Sequence, residues 1–167
     1  SGDGRFAYHA GPTGIVLWDL LEDRPLPVPD ASRASAVDVL LADDGSTALI
    51  ALNGESGAQS EIRLVHLRSD DPAQLVKAPC PSTISSILWM DQIGRTALLE
   101  CEGNSVALVD ISAGQVRSST RSAVTGIVSV SESAQGDSLR AIRTDSSAFT
   151  WDLSEGRVDS RIPGRPE

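Results

Sequence analysis

The apolar residues of this chain fall in short runs that alternate with polar positions and are separated by glycine-containing turns. Four of these runs are similar, each ending in an aromatic or aliphatic residue, an acidic or histidine residue, and a leucine or isoleucine: Gly14–Leu20, Ile62–Leu67, Val106–Ile111 and Ala148–Leu153. Runs of this length, rich in Val, Ile and Leu, are typical of short β-strands. The pattern therefore predicts an all-β protein.

The similar runs recur at a nearly constant interval. The corresponding residues Trp18, Val65, Val109 and Trp151 are 47, 44 and 42 residues apart. That period is typical of a β-propeller, in which each repeat forms one four-stranded blade. A glycine in a polar turn stands upstream of each run, and we expect most of these glycines to have positive φ in hairpins. They are Gly4, Gly45, Gly94 and Gly136.

The repeat divides the chain, read as a single propeller segment over 1–167, into four units at about 1–30, 31–78, 79–121 and 122–163. Each unit is expected to contain strands a to d, running from the centre outward. The chain opens at Ser1–Gly4, already in the turn between strands a and b. We therefore expect about four four-stranded blades, the first of them incomplete, within a larger ring. A closed small ring is the alternative.

The Trp-Asp pairs at 18–19 and 151–152 resemble those of WD40-type propeller repeats, and the third unit, over 104–116, also resembles the related YVTN-type repeat. The Gly-His pair of a well-formed WD40 blade does not occur in this sequence. His66 occupies the position that Asp110 takes in the third unit. The resemblance implies propeller blades that are held together by apolar packing rather than by the family's hydrogen-bonded tetrad.

The resemblance also implies a function. WD40-like propellers usually bind peptides or proteins on the face built from the d-to-a and b-to-c loops, so we expect a non-enzymatic protein–protein interaction scaffold. The candidate contact residues on those loops are Arg33, Glu55, Glu102, Arg121 and Asp145. The remaining blades would come from another chain, a second copy or the parent protein. The alternatives are a ligand-binding or sensor propeller and an enzyme with a site over the central channel.

Catalytic motifs are not found in the sequence, which contains no His-Glu-x-x-His, Cys-x-x-Cys, Gly-x-Ser-x-Gly or phosphate-binding loop. His9 and His66 are the only histidines, and both are interpreted as structural. The acidic pairs Asp43-Asp44 and Asp70-Asp71 lack the spacing of a calcium loop and are interpreted as turn residues. We therefore predict no catalytic residue, no cofactor and no metal ligand.

An enzyme of this architecture would be expected to gather carboxylates where the inner strands end. Those ends carry Asp38, Asp91 and Glu132. Convergence of these side chains at the channel mouth would favour an enzyme, and an aliphatic channel would favour a scaffold.

The net charge and the cysteines indicate which kinds of binding partner and which cellular compartment to expect. The net charge of −9 disfavours a nucleic-acid partner, and no apolar run is long enough to span a membrane. Cys80 and Cys101 are predicted at an outer-strand end and in an inner strand, where a bridge would be awkward. Two free thiols and a cytoplasmic location are therefore expected.

Two expectations concern packing and assembly. Trp18 and Trp151 are predicted to be mostly buried between neighbouring blades. An open arc would leave a sheet flank without a partner, so we expect a dimer or a complex with the chain that carries the remaining blades. In one such dimer, two copies close a ring of about eight blades.

Overall fold

The computed structural model describes residues 1–11, 14–26, 28, 34–54, 59–69, 71–77, 79–103, 105–121 and 126–162. These residues form strands and turns but no helix, and therefore no helix that could cross a bilayer. The strands form four antiparallel sheets, so the predicted all-β fold is confirmed. Their arrangement is consistent with a propeller-like fold, and the four sheets do not close into a ring.

The strands follow one another along the chain without crossovers. The first sheet contains three strands, β1 (Phe6–Gly11), β2 (Gly14–Asp19) and β3 (Arg24–Leu26). The second contains β4 (Ala34–Leu41), β5 (Thr47–Gly54), β6 (Glu61–His66) and β7 (Gln74–Lys77). The third contains β8 (Ile84–Met90), β9 (Thr96–Cys101), β10 (Ser105–Asp110) and β11 (Gln115–Arg121). The fourth contains β12 (Ile127–Glu132), β13 (Ser138–Arg143), β14 (Ala148–Asp152) and β15 (Arg157–Ile162).

Each sheet is a meander in which every strand pairs with the next one in sequence. Consecutive hairpins of a meander turn at opposite ends of the sheet. In the four-stranded sheets, the loops between the second and third strands therefore lie at the opposite end from the turns between the first and second strands. The candidate binding loops lie at the end that carries the loops between the second and third strands.

The core lies between the sheets, which pack face to face in chain order. Three apolar clusters fill the first-to-second, second-to-third and third-to-fourth interfaces. Strand β5 shows why the sheets stack on both faces: Leu49 belongs to one cluster, its neighbour Ile50 to another, and both are fully buried. Successive side chains of a strand point to opposite faces, so an almost continuous apolar run suits a sheet between two others.

The predicted turn glycines have the expected conformation. Gly4, Gly45, Gly94 and Gly136 have φ values of 72°, 65°, 70° and 73°. At Gly94 a Cβ atom would also lie 2.9 Å from a methyl carbon of Leu64. Glycine is therefore required there both by the backbone conformation and by the close approach of the second sheet.

The packing of the two tryptophans differs from the prediction in one case. Trp151 is 1% exposed and belongs to the cluster between the third and fourth sheets. Trp18 is only half-buried and belongs to none of the three clusters formed by the described residues. The prediction that Trp18 lies between two sheets was wrong, because its side chain points away from the second sheet and no other sheet of the described residues covers it.

The prediction of two free thiols was also wrong, because Cys80 and Cys101 form a disulfide. Their Cα atoms are 5.7 Å apart, within the ordinary range for a bridge. Cys80 lies in the segment that leads into β8, and β8 begins at Ile84, which is paired with Cys101. The crossing from the second sheet to the third thus brings Cys80 to the end of β9, and both cysteines are buried.

Candidate functional site

The predicted contact residues are distributed unevenly over the structure. Arg33 and Glu55 lie outside the described residues, and Arg121 is described only as backbone at the end of β11. Glu102 and Asp145 are both exposed in turns. Of these two, only Glu102 lines a cavity at the predicted binding end of the sheets.

That cavity, here called the loop groove, is formed by two adjoining hollows that share Pro81, Ser82 and Glu102. They have volumes of about 620 and 350 Å³. Besides the three shared residues, the loop groove is lined by Gln59, Ser60, Pro79, Cys80, Thr83, Gly103, Ser105, Val116 and Ser119. The lining combines apolar surface from Pro81 and Val116 with hydroxyl groups and one carboxylate.

Hydrogen bonds connect the two loops that form the groove. The Glu102 amide donates to the Thr83 carbonyl at 2.9 Å, and the Ser82 hydroxyl donates to the Glu102 carbonyl at 2.9 Å. The Ser60 hydroxyl donates to the Ser82 carbonyl at 3.3 Å. The loop before β8 is therefore joined to both the second and the third sheet.

Two further links fix the same loop. The Asn53 side chain donates to the Ile84 carbonyl and accepts from the Ile84 amide, each at 2.9 Å, so it substitutes for a strand partner. The Cys80–Cys101 disulfide ties the loop covalently to the end of β9. A groove held this way is largely pre-formed, which lowers the entropy cost of binding. Neither link was foreseen from the sequence.

The groove also contains polar atoms whose bonding capacity is unused. The Thr83 Oγ1 and Ser105 Oγ atoms are buried and have no hydrogen-bond partner among the described residues. Ser105 as a whole is 3% exposed. A buried hydroxyl without a partner is costly, and a ligand with donors or acceptors would relieve that cost if the side chain rotates toward the groove.

Asp145 has a structural role in its turn. Its carboxylate accepts from the Ser147 amide at 3.0 Å and forms an ion pair with Arg143 at 3.2 Å. Ser146, the central residue of this turn, has φ of 61°. Asp145 therefore stabilises the β13–β14 hairpin and does not belong to the loop groove.

The aspartates of the repeated runs also serve turns. Asp110 accepts from the Ser112 hydroxyl at 2.7 Å and the Ala113 amide at 2.9 Å, and it pairs with the Arg117 guanidinium. The Ser112 hydrogen bond, followed by that of Arg117, lowers the pKa of Asp110 to about 2. Asp19 and Asp152 accept amide hydrogens in the same way after β2 and β14. The aspartate of each of these runs thus caps the turn that follows it.

The inner strand ends form a second cavity, of about 470 Å³, at the opposite end of the sheets. It is lined by Trp89 and Met90 and by the carboxylates of Asp43, Asp44, Asp91 and Glu132. Asp91 already accepts from the amides of Arg95 and Thr96. Within the part of the chain that the structure describes, no three acidic, histidine or cysteine residues are grouped to hold a metal ion.

Asp38, the third inner-strand carboxylate, does not reach this cavity. Its Oδ2 accepts from the Ile87 amide at 2.8 Å and thereby joins β4 to β8. His9 is exposed in β1, and His66 is half-buried at the end of β6 opposite Thr47. The two histidines lie in different sheets.

Comparison with models of known protein families finds no match to this chain, and a search of curated proteins finds no similar sequence. The case for a function therefore depends on the geometry described above.

Proposed function

We propose that this chain is a non-enzymatic protein–protein interaction scaffold, a WD40-like propeller segment of a larger ring, and that it binds a peptide segment of its partner in the loop groove. Thr83 and Ser105 carry this proposal, because both line the groove and their buried hydroxyls have no hydrogen-bond partner within the described part of the chain. They lie in a groove that a disulfide and the Asn53 side chain hold in place. An extended peptide offers a regular series of amide donors and carbonyl acceptors to such hydroxyls.

The lining indicates what the peptide would contain. Pro81 is exposed and Val116 is 37% exposed, which offers an apolar surface for a hydrophobic side chain. Glu102 is exposed at the junction of the two hollows and would attract a lysine or arginine. We therefore propose a partner segment with one apolar and one basic residue.

The disulfide changes the proposed compartment. A cytoplasmic location was expected from two free thiols, but bridges persist mainly in oxidising environments. The Cys80–Cys101 bridge supports the proposal that the protein works in an oxidising compartment.

A peptide-display library selected on the immobilised full chain tests the proposed function. We expect Glu102→Arg to lower the affinity for the selected peptides at least about tenfold, because it reverses the charge at the groove. Glu132→Arg is the matched control: it makes the same charge change at an exposed site in the inner-strand cavity. Loss of binding with Glu132→Arg alone would contradict the proposed groove and place the binding site in the inner-strand cavity, which would favour a ligand-binding or sensor propeller.

A further inference from the structure

We propose that the outer face of the first sheet is a docking surface for another antiparallel β-sheet, one that presents a pair of leucine-like side chains. This surface, the Trp18 face, consists of Ala7, His9, Val16 and Trp18. The inference rests on the proposed propeller-like arrangement and is independent of the loop groove. The sheet-to-sheet interfaces within the molecule indicate what such a partner presents.

Each of the later sheets turns a cross-strand pair at equivalent positions toward the sheet that precedes it. These pairs are Ala48 with Val65, Ala97 with Val109, and Leu139 with Trp151. All six side chains lie in, or pack against, the cluster shared with the preceding sheet. The equivalent pair in the first sheet is Ala7 with Trp18.

The neighbouring pair along the same two strands points the other way, toward the sheet that follows. In the second and third sheets it consists of two leucines, Leu49 with Leu64 and Leu98 with Leu108. These leucines are all fully or almost fully buried. Two of the three interfaces thus set a leucine pair against the equivalent pair of the next sheet, whereas the first sheet presents Tyr8 with Leu17 to the second.

The Trp18 face has the pair that would face a preceding sheet, but no leucine pair of the described residues packs against it. Val16 is 40% exposed and Trp18 and Ala7 are half-buried, although Trp18 occupies the position at which Trp151 is 1% exposed. An exposed apolar face of this kind marks an interaction site. Its complement, by analogy with the second-to-third and third-to-fourth interfaces, is a sheet with a leucine pair at the facing positions.

The last sheet does not supply that complement. Where the second and third sheets carry leucines, it carries Arg140 paired with Thr150, and Arg140 is exposed. A guanidinium buried against Ala7, Val16 and Trp18 would lose its hydration without meeting a carboxylate among them. Two wild-type copies are therefore poorly matched for joining the last sheet of one to the first sheet of the other.

The leucine rule can be tested by giving the last sheet the missing pair. The double variant Arg140→Leu/Thr150→Leu presents two leucines beside Ile142 and Ala148, the apolar pair next to them. We expect the wild-type chain to be monomeric and the double variant to associate, with a mass roughly twofold or more that of the monomer by light scattering. Adding Trp18→Arg should return it to a monomer.

Several outcomes would overturn the inference: a double variant that stays monomeric, association that survives Trp18→Arg, or a wild-type dimer. Circular dichroism checks folding, and Arg140→Leu alone replaces the double variant if that one unfolds. Adding Glu102→Arg to the double variant should leave its mass unchanged. Failure of the loop-groove proposal and failure of the docking proposal are therefore distinguishable.

Discussion

At the scale of single residues, the carboxylates of this protein organise turns. Asp19, Asp110 and Asp152 each end a strand and accept amide hydrogens from the residues that follow. Hydrogen bonds to a carboxylate favour its charged form and lower its pKa, as they do for all three residues. The acidic position of the repeat is thereby explained by local stability.

Asp110 gives this role a pH dependence. Its pKa is lowered from 3.8 to about 2 by Ser112 and Arg117, and its side chain is only 10% exposed. A carboxyl group with a lowered folded-state pKa stabilises the fold above its unfolded pKa and loses that contribution as the pH falls through the folded value. We expect the contribution of Asp110 to the unfolding free energy of the wild type to fall by about 2 kcal/mol as the pH is lowered from about 4 to about 2.

Urea unfolding at a series of pH values measures this effect. Asp110→Asn should be less stable than wild type at neutral pH, with the difference shrinking as the pH falls from 4 to 2. Glu132→Gln, which alters an exposed carboxyl group, is the control. A wild-type-minus-variant difference that is constant with pH would contradict the assignment.

The two tryptophans provide a prediction about packing. Trp151→Ala should cost roughly 3–5 kcal/mol in unfolding free energy, because it empties a core position between two sheets. Trp18→Ala should cost about 1 kcal/mol or less in the isolated chain, because Trp18 is half-buried and outside the clusters. Equal losses in urea unfolding would show that the Trp18 face is already covered.

At the scale of elements, one connection has unusual support. The segment leading into β8 is fixed by the Cys80–Cys101 bridge and by the Asn53 side chain, and it forms one wall of the loop groove. The strands themselves are held by apolar packing on both faces. Contact residues are commonly positioned on a loop that is fixed to a rigid, well-packed scaffold.

The bridge should contribute measurably to stability. It joins residues 21 apart in sequence. Closing a loop of that length lowers the entropy of the unfolded chain and so raises its free energy by about 3 kcal/mol. We expect Cys80→Ser/Cys101→Ser to lower the unfolding free energy by about that amount, and a reducing agent to lower it similarly in wild type. Thiol titration of the unfolded, unreduced protein should find no free thiol, whereas two titratable thiols would refute the bridge.

At the scale of the whole molecule, the four sheets form a stack with two different ends. The first sheet ends the stack with Ala7, Val16 and Trp18, and the last ends it with Arg140 and Thr150 beside Ile142 and Ala148. An exposed apolar outer face of a sheet offers a surface for further packing. The isolated wild-type chain should therefore bind an apolar dye, and Trp18→Arg should reduce that binding while Arg140→Ala should not.

The sequence by itself determined the strands and turns of this protein, because alternation, β-branched residues and turn glycines act over a few residues. The runs Val106–Ile111 and Ala148–Leu153 coincide with strands β10 and β14 to within one residue at each end, and Gly94 has the predicted positive φ. The meander of neighbouring strands follows from the same short-range signals.

Only the tertiary structure decided which sheet face each side chain meets. The equivalent residues Trp18 and Trp151 differ in burial because a sheet packs on one and not on the other. The disulfide, the Asn53 bridge and the loop groove join residues 20 or more positions apart, through connections whose paths local patterns do not encode. Such contacts depend on how the chain crosses between sheets, and that crossing is set by the packing of the whole stack.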